Sequence, residues 1–465
     1  MPTQIYWNRT HLWAVGLLVA IITTSLVQSA TANWKAGVAK VNITPKKLMW
    51  MSGYGSRNRP AEGKLTDLWA KALVLEDATG ERCVFVTLDL IGISRDLTVP
   101  IRNQLAQQYH LDPRQVVLLC SHTHTSPAVG ENLRAMFSFD DVQQQLVDQY
   151  AATLQVEIPA VVGQALKNLA SAELSWDIGQ ATFAVNRRNN READVPDLRK
   201  NGLLQGPVDH DVPVLRVCQE GKTTAILFGY ACHATVLSFY QWSGDYPGFA
   251  QIELEKSHPQ AIALFWAGCG ADQNPLPRRK VELAQEYGSR LAAAVDKVLA
   301  NADSMQRIEG SLQTEFQEID LKFDELPSRE EVEKLAKSTD KFEAGHGKQL
   351  MKQFARDGKL SPTYPYPVQS WRLGKRLIFV TLGGEVVVDF SLRLKRELAP
   401  ESTWVAGYAN DVMAYIPSRR VLLEGGYEGA SSMRYYGQPT KWAPSVEEDV
   451  VRTVVQQAQR LRQAN

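Results

Sequence analysis

The chain has 465 residues, 44% of them hydrophobic and 22% charged, the composition of a globular protein and not of a disordered or collagen-like one. Its 51 basic residues balance 51 acidic ones, and no basic stripe offers the Lys and Arg excess that nucleic acid phosphates demand. The length suits one large domain or a few average ones.

Arg9 is the only Asp, Glu, Lys or Arg before Lys35. An apolar run from Leu12 to Ile22 follows it, and then a polar stretch that ends in Ala30-Thr31-Ala32. This order predicts a secretory signal over residues 1–32, hence a secreted or periplasmic protein. The apolar run is shorter than the roughly 20 residues that span a bilayer, and a retained anchor is the alternative. Residues 33–465 are expected to form one domain. Its cysteines, Cys83, Cys120, Cys218, Cys232 and Cys269, are odd in number and lack a C-x-x-C pair. They read as buried small hydrophobes, not as a thiolate zinc site.

Short apolar runs then alternate with longer amphipathic ones, which predicts an α/β fold with a mixed β-sheet core flanked by helices. Val84 to Leu90 reads as a strand, Asp96 to Tyr109 as a helix and Gln115 to Cys120 as a strand, together a β-α-β unit. A helix is predicted from Asp141 to about Leu169, broken or kinked near Pro159. Val212 to Cys218 and Thr223 to Cys232 flank Gln219-Glu220-Gly221-Lys222, a hairpin signal. A strand from Ala261 to Ala267 precedes a helix from Lys280 to Leu299. Residues 324–360 are charged and helical, and Pro362 to Pro367 reads as a rigid loop or a linker. A strand from Arg376 to Leu382 leads into a helix from Glu385 to Leu398. The last helix starts at Ser445, where Ser445 and Glu448 form a capping-box pattern.

Polar residues suited to metal binding recur just after the apolar strands. Ser121-His122-Thr123-His124 follows QVVLLC, His233 follows ILFGYAC, and Asp272-Gln273-Asn274 follows AIALFWAGC. Glu385 follows RLIFVTL, and Asn410 to Tyr415 follows TWVAGY. Ligands of α/β sheets bind beyond the carboxyl ends of strands, so these loops can meet on one edge. In an extended segment His122 and His124 point the same way, either as metal or catalytic groups or as a hydrogen-bonded pair. Thr125-Ser126-Pro127 does not supply the Asp and His of a metallo-β-lactamase, and eight β-α repeats of an amidohydrolase barrel are missing. Taken singly, His233, Glu385 and Arg187 each have a structural reading, core histidine, helix-start acid and solvated loop, and Tyr415 alone says almost nothing.

As a set these residues resemble the catalytic domain of the neutral, non-lysosomal ceramidases, exported zinc-dependent amidases. The resemblance runs from Lys35-Ala36-Gly37-Val38 to Tyr427-Glu428-Gly429. Met51-Ser52-Gly53-Tyr54-Gly55 resembles the family's glycine-tyrosine loop, and Ser121 to Pro127 its T-H-T-H-S-G-P signature. The resemblance implies Zn2+ held by His122, His233, Glu385 and Tyr415, with zinc-activated water cleaving an amide. It implies His124, Arg187 and Tyr427 around the substrate carbonyl. Two departures stand out. Asn274 occupies the place of the serine in the family's G-D-V-S-P-N box and adjoins the same catalytic group. The family's C-terminal β-domain is expected to be absent. The implied substrate is a ceramide-like or other N-acyl compound, small or lipid-like, with at most peripheral membrane contact. No nucleic acid and no obligate protein partner is expected. An esterase or deacylase of a polar substrate and a non-catalytic metal- or ligand-binding homologue are the alternatives.

Overall fold

The computed structural model describes residues 1–6 and 34–463. The chain divides into two compact units, residues 1–31 and 32–465. Of the first, only residues 1–6 are described, and they carry no regular structure. The signal expected over residues 1–32 otherwise lies outside the described residues. No helix among the described residues is long and apolar enough to cross a membrane.

The second unit contains two large sheets. The first comprises β1 (Trp34–Asn42), β2 (Trp69–Asp77), β3 (Arg82–Leu88), β4 (Val116–Cys120), β5 (Ala170–Gln180), β6 (Asp211–Gln219), β7 (Lys222–Tyr230) and β8 (Ile262–Ala267). Their order is β8-β7-β6-β5-β1-β2-β3-β4, with the short strand Gln306–Arg307 added on β5. The β3–β4 and β7–β8 pairs are parallel, and the other pairs are antiparallel. The second sheet runs β9 (Leu312–Lys322), β10 (Thr363–Leu373), β11 (Leu377–Leu382) and β12 (Ser402–Ala406), with only the last pair parallel.

Side-chain alternation shows how the sheets stack. In β3, Val84, Val86 and Leu88 join a core with α1 (Arg95–Tyr109), α2 (Asp141–Lys167), α3 (Asp245–Ser257) and α4 (Val281–Leu299). Cys83 and Phe85 point to the opposite face, into a layer that also holds Trp371, Phe379 and Trp404 of the second sheet. The far face of that sheet, with Ile378, Val380 and Leu382, is covered by α5 (Val388–Glu397) and α6 (Val446–Gln463). The architecture is therefore helix, sheet, sheet, helix. The α/β class holds, and the mixed sheet expected from the sequence is two sheets packed face to face. Strands covered on both faces lose polar alternation, which is why VFVTL and LIFVTL read as continuous apolar runs.

The layer between the sheets is rich in tryptophan. The Trp266 and Trp404 rings stack at 6.4 Å, and Phe85 meets Trp371 edge-on at 4.9 Å. Gly229 is required there, because a Cβ would lie 2.2 Å from the Trp266 ring. The predicted hairpin forms between β6 and β7, with left-handed backbone at Glu220 and Gly221 matching the twist of the strands.

Three expectations need correction. α2 is not broken at Pro159 and runs as one helix from Asp141 to Lys167. Its face carrying Leu154, Ile158, Val161 and Val162 is buried, and each such side chain contributes about 1.5–3 kcal/mol, which offsets one lost backbone hydrogen bond. Residues 363–367 belong to β10 and form neither a loop nor a linker. Over this stretch β10 pairs only with β9, and Pro365 and Pro367 share one parity, so their missing N–H groups fall on the side without a partner strand. Glu385 lies outside the helix, in a two-residue strand, Glu385–Val386, that pairs in parallel with Tyr415–Ile416. The helix begins three residues later, at Val388.

Candidate metal centre

The carboxyl ends of β3, β4, β7, β8, β11 and β12 converge on one edge. Backbone bonds tie them across the two sheets. Cys120 N–H donates to Tyr408 O (3.2 Å), Asn410 N–H to Leu118 O (2.7 Å) and Gly407 N–H to Ala267 O (3.0 Å). Ser121 and His122 donate to the carbonyls of Leu88 and Leu90, so the loop after β4 lies along the loop after β3.

His122 and His124 meet, though not through a strand pleat. His122 has a left-handed φ of 58° and the segment Ser121 to Thr123 is irregular, so a turn brings the two rings together. Their Nε2 atoms are 3.1 Å apart. Tyr408, Asn410 and Asp245 are also left-handed and non-glycine (φ 54°, 60° and 53°). Such conformations cost roughly 1–3 kcal/mol each and persist only where surrounding packing imposes them.

The donor geometry is restrictive. His122 Nδ1–H donates to Ile91 O (2.6 Å) and His233 Nδ1–H to Gly270 O (2.8 Å). Both Nε2 atoms therefore carry lone pairs. Each faces the same oxygen, Glu385 Oε2, at 3.1 and 3.2 Å. Tyr436 O–H donates to the other oxygen, Oε1, while Oε2 is buried without a hydrogen-bond donor. Tyr415 Oη lies 3.4 Å from His233 Nε2, in register with Glu385 through the short parallel strands. The ring nitrogens of His122, His124 and His233 lie within 4.8 Å of one another. Acceptors aimed at one another in a dry site are costly, about 1–3 kcal/mol each, unless a cation sits among them. The residues present fit a metal ion.

Electrostatics keep the His124 and His233 rings neutral. Burial, with Arg187 nearby, lowers the His233 pKa to about 4. Burial and the neighbouring rings of His122 and His233 hold His124 well below the usual histidine range.

The remaining candidates form the outer wall. Arg187 donates from Nε to Glu428 (2.7 Å), from Nη1 to Asn274 Oδ1 (3.3 Å) and from Nη2 to Tyr415 Oη (3.2 Å). The Tyr427 ring is 5.2 Å from that of Tyr415 and 40% exposed, so it faces solvent and centre at once. The structure thus brings His122, His124, His233, Glu385, Tyr415, Arg187, Asn274 and Tyr427 into one site.

Several supporting residues carry no local sequence signal. Tyr436 grips Glu385, and Tyr408 stacks on His122 at 4.2 Å. Arg57 donates to the carbonyl oxygens of His124 (2.8 Å) and Phe239 (3.1 Å). Asp272 accepts from Val388 N–H (2.9 Å) and Asn186 Nδ2 (3.1 Å), and its carbonyl accepts from Arg187 N–H (2.8 Å). One carboxylate thereby fixes the loops of Arg187 and Glu385. Asp245 accepts from the N–H groups of Val236, Leu237 and Tyr246 and holds the segment after His233.

Residues 34–268 match the family model described as neutral/alkaline non-lysosomal ceramidase, N-terminal. The chain belongs to this family. Neutral ceramidase of Pseudomonas aeruginosa is 23% identical over 92% of the chain and 73% of that protein. Neutral ceramidase of Drosophila pseudoobscura is 30% identical over 52% of the chain, which spans 35% of the fly protein. The crystal structure of the Pseudomonas neutral ceramidase superposes with a TM-score of 0.71 at 19% identity, covering 93% of the chain and 75% of that structure. The ceramidase family model takes in His122, His124, Arg187 and His233, whereas Asn274, Glu385, Tyr415 and Tyr427 lie beyond its matched residues.

Proposed function

We propose that this chain is a zinc-dependent hydrolase that cleaves the amide bond of a ceramide-like or other N-acyl substrate. The observation that carries the reading is the set of lone pairs on His122, His233 and Glu385, all buried and directed at one point. His122, His233, Glu385 and Tyr415 would hold the metal, a nitrogen and oxygen set that suits Zn2+. When bound, zinc supplies the charge that lowers the pKa of a water toward about 7 and polarises a carbonyl.

The chain's own groups supply the rest. His124 is neutral at pH 7, so its ring can take a proton from the attacking water and return it to the departing nitrogen. Arg187 is held by Glu428 from one side and presents its Nη groups to Tyr415 and Asn274. From there it and the Tyr427 hydroxyl are placed to stabilise a developing oxyanion. Asn274 cannot act as a nucleophile, and this scheme needs none. Export follows from the signal-like segment at residues 1–32. One domain over residues 33–465 carries the activity.

The test is elemental analysis of purified protein beside turnover of neutral N-acyl amides. About one zinc per chain, lost together with activity in His233→Ala, is expected. Zinc retained in His233→Ala would sink the ligand assignment. Tight zinc with no amide or ester turned over would make the chain a non-catalytic binding homologue.

A further inference from the structure

A cavity of about 560 Å³ opens outside the metal centre. Arg187 and Tyr427 form its inner wall, and both lie against Tyr415. Four guanidinium groups line it, those of Arg187, Arg188, Arg191 and Arg278, against two carboxylates, Glu192 and Glu428.

Both carboxylates are already engaged. Glu428 is shared by Arg187 and Arg188, at 2.7 and 2.5 Å. Glu192 takes Arg278 through three contacts of 2.8–3.1 Å. Arg191 has only a loose approach to Asp194 at 3.8 Å, and its side chain is 86% exposed. Arg188 also gives Nε and Nη2 to Glu424 at 3.2 and 3.0 Å, so the charge left without a close acid partner is that of Arg191, whose fork is open. Leu276 is the one aliphatic side chain on its wall. An alkyl tail there would gain little apolar contact and would strip water from guanidiniums without replacing it. Guanidinium forks match planar or tetrahedral acids, which they bind through paired, charge-assisted hydrogen bonds.

We propose that the part of the substrate seated in this cavity bears an acid group, a carboxylate or a phosphate, received by Arg191 and Arg278. The inference rests on the amidase reading for the position of the scissile bond. It narrows the substrate to an acid-bearing N-acyl compound, distinct from a two-tailed neutral lipid. Glu192 acts as a stand-in for that acid by occupying Arg278.

The test uses compounds matched in length and full-length metal-loaded protein. N-hexanoyl-propylamine is the neutral reference. N-hexanoyl-β-alanine and N-hexanoyl-phosphoethanolamine place the acid on the amine side, and adipic mono-propylamide places a carboxylate on the acyl side. At least one acid-bearing compound should exceed the reference about tenfold in kcat/KM, the scale of a charge-assisted fork. That ratio should fall about threefold in Arg191→Gln, as for an exposed ion pair, rise in Glu192→Gln, and shrink with added salt. Calorimetric titration with adipate and with inorganic phosphate reads the same order without turnover: weaker in Arg191→Gln, tighter in Glu192→Gln. A reference amide cleaved as well as every acid, or ratios unmoved by both substitutions, overturns the proposal and leaves the amidase reading standing. Acid binding that follows the expected order with no amide cleaved overturns the amidase reading and leaves the acid site standing.

Discussion

Glu385→Gln should make the metal-free protein more stable and the zinc-loaded protein less stable than the parent. In the parent, Oε2 faces two imidazole lone pairs at 3.1 and 3.2 Å, and no donor lies between them. A glutamine can leave its oxygen where Oε1 accepts from Tyr436 and turn its NH2 group toward His122 and His233. Burial keeps the His233 ring neutral at pH 8, so the substitution replaces one stranded acceptor, Oε2, by a donor, worth about 1–3 kcal/mol. Unfolding entropy near 2.1 cal/mol/K per residue over roughly 430 residues gives about 0.9 kcal/mol/K, so each kcal/mol moves Tm by about 1 °C. The metal-free variant should melt about 1–3 °C above the metal-free parent. Zinc at a thousand times its Kd adds about 4 kcal/mol to the parent, hence about 4–5 °C, and far less to a variant that has lost a charged ligand. Calorimetry with chelator and with zinc reads both differences. A variant less stable than the parent in both states would refute the acceptor cluster.

Gly53→Ala should lower turnover at least tenfold while zinc content stays at the parent value. Gly53 has φ +95° and an added Cβ would lie 2.7 Å from the His124 ring, so the ring must shift; turnover within twofold of the parent would show that His124 need not stay in place. Arg187→Lys should keep zinc and lose most of kcat, because one ammonium cannot span Glu428, Asn274 and Tyr415, and elemental analysis beside kinetics separates this from loss of metal. Asp411 is buried and its pKa is raised to about 7 by that burial, against about 3.9 in an unfolded chain. The folded state holds the extra proton, so this group's contribution is largest below pH 4 and falls by up to about 4 kcal/mol as pH rises to 7. Asp411→Asn removes that dependence, and the Tm difference between variant and parent should move in the variant's favour from pH 5 to pH 8; parallel Tm curves would refute the assignment.

The histidines were legible because each follows a run of apolar residues that can only be a buried strand. Glu385 and Tyr415 were not legible from spacing. Two strands of two residues, thirty positions apart, pair in parallel to set them side by side, and no periodicity marks so short a ladder. Their places after apolar strands marked Glu385 and the segment Asn410 to Tyr415, and resemblance to the family implied Glu385 and Tyr415 as ligands. The left-handed backbone of His122 escaped for a related reason: histidine has no turn signature, and tertiary bonds from Leu90 and Ile91 hold the loop in that shape. Stacking of two sheets was hidden by its own consequence, since strands apolar on both faces do not say what covers either. Tyr436 and Tyr408 reach the centre from segments whose local sequence reads as ordinary core and turn.

His122 and His233 hang from the nine-stranded sheet, whereas Glu385 and Tyr415 hang from the four-stranded one. A cation bound by all four is a rivet through two separately built plates. A fragment ending at residue 268, the extent of the ceramidase match, carries imidazoles without their carboxylate. Metal capture by the four residues would therefore report that both halves have folded and docked. Fragments cut near residue 310, between the last strand of the first sheet and β9, should regain zinc only when mixed, which turns the ion into a gauge of assembly.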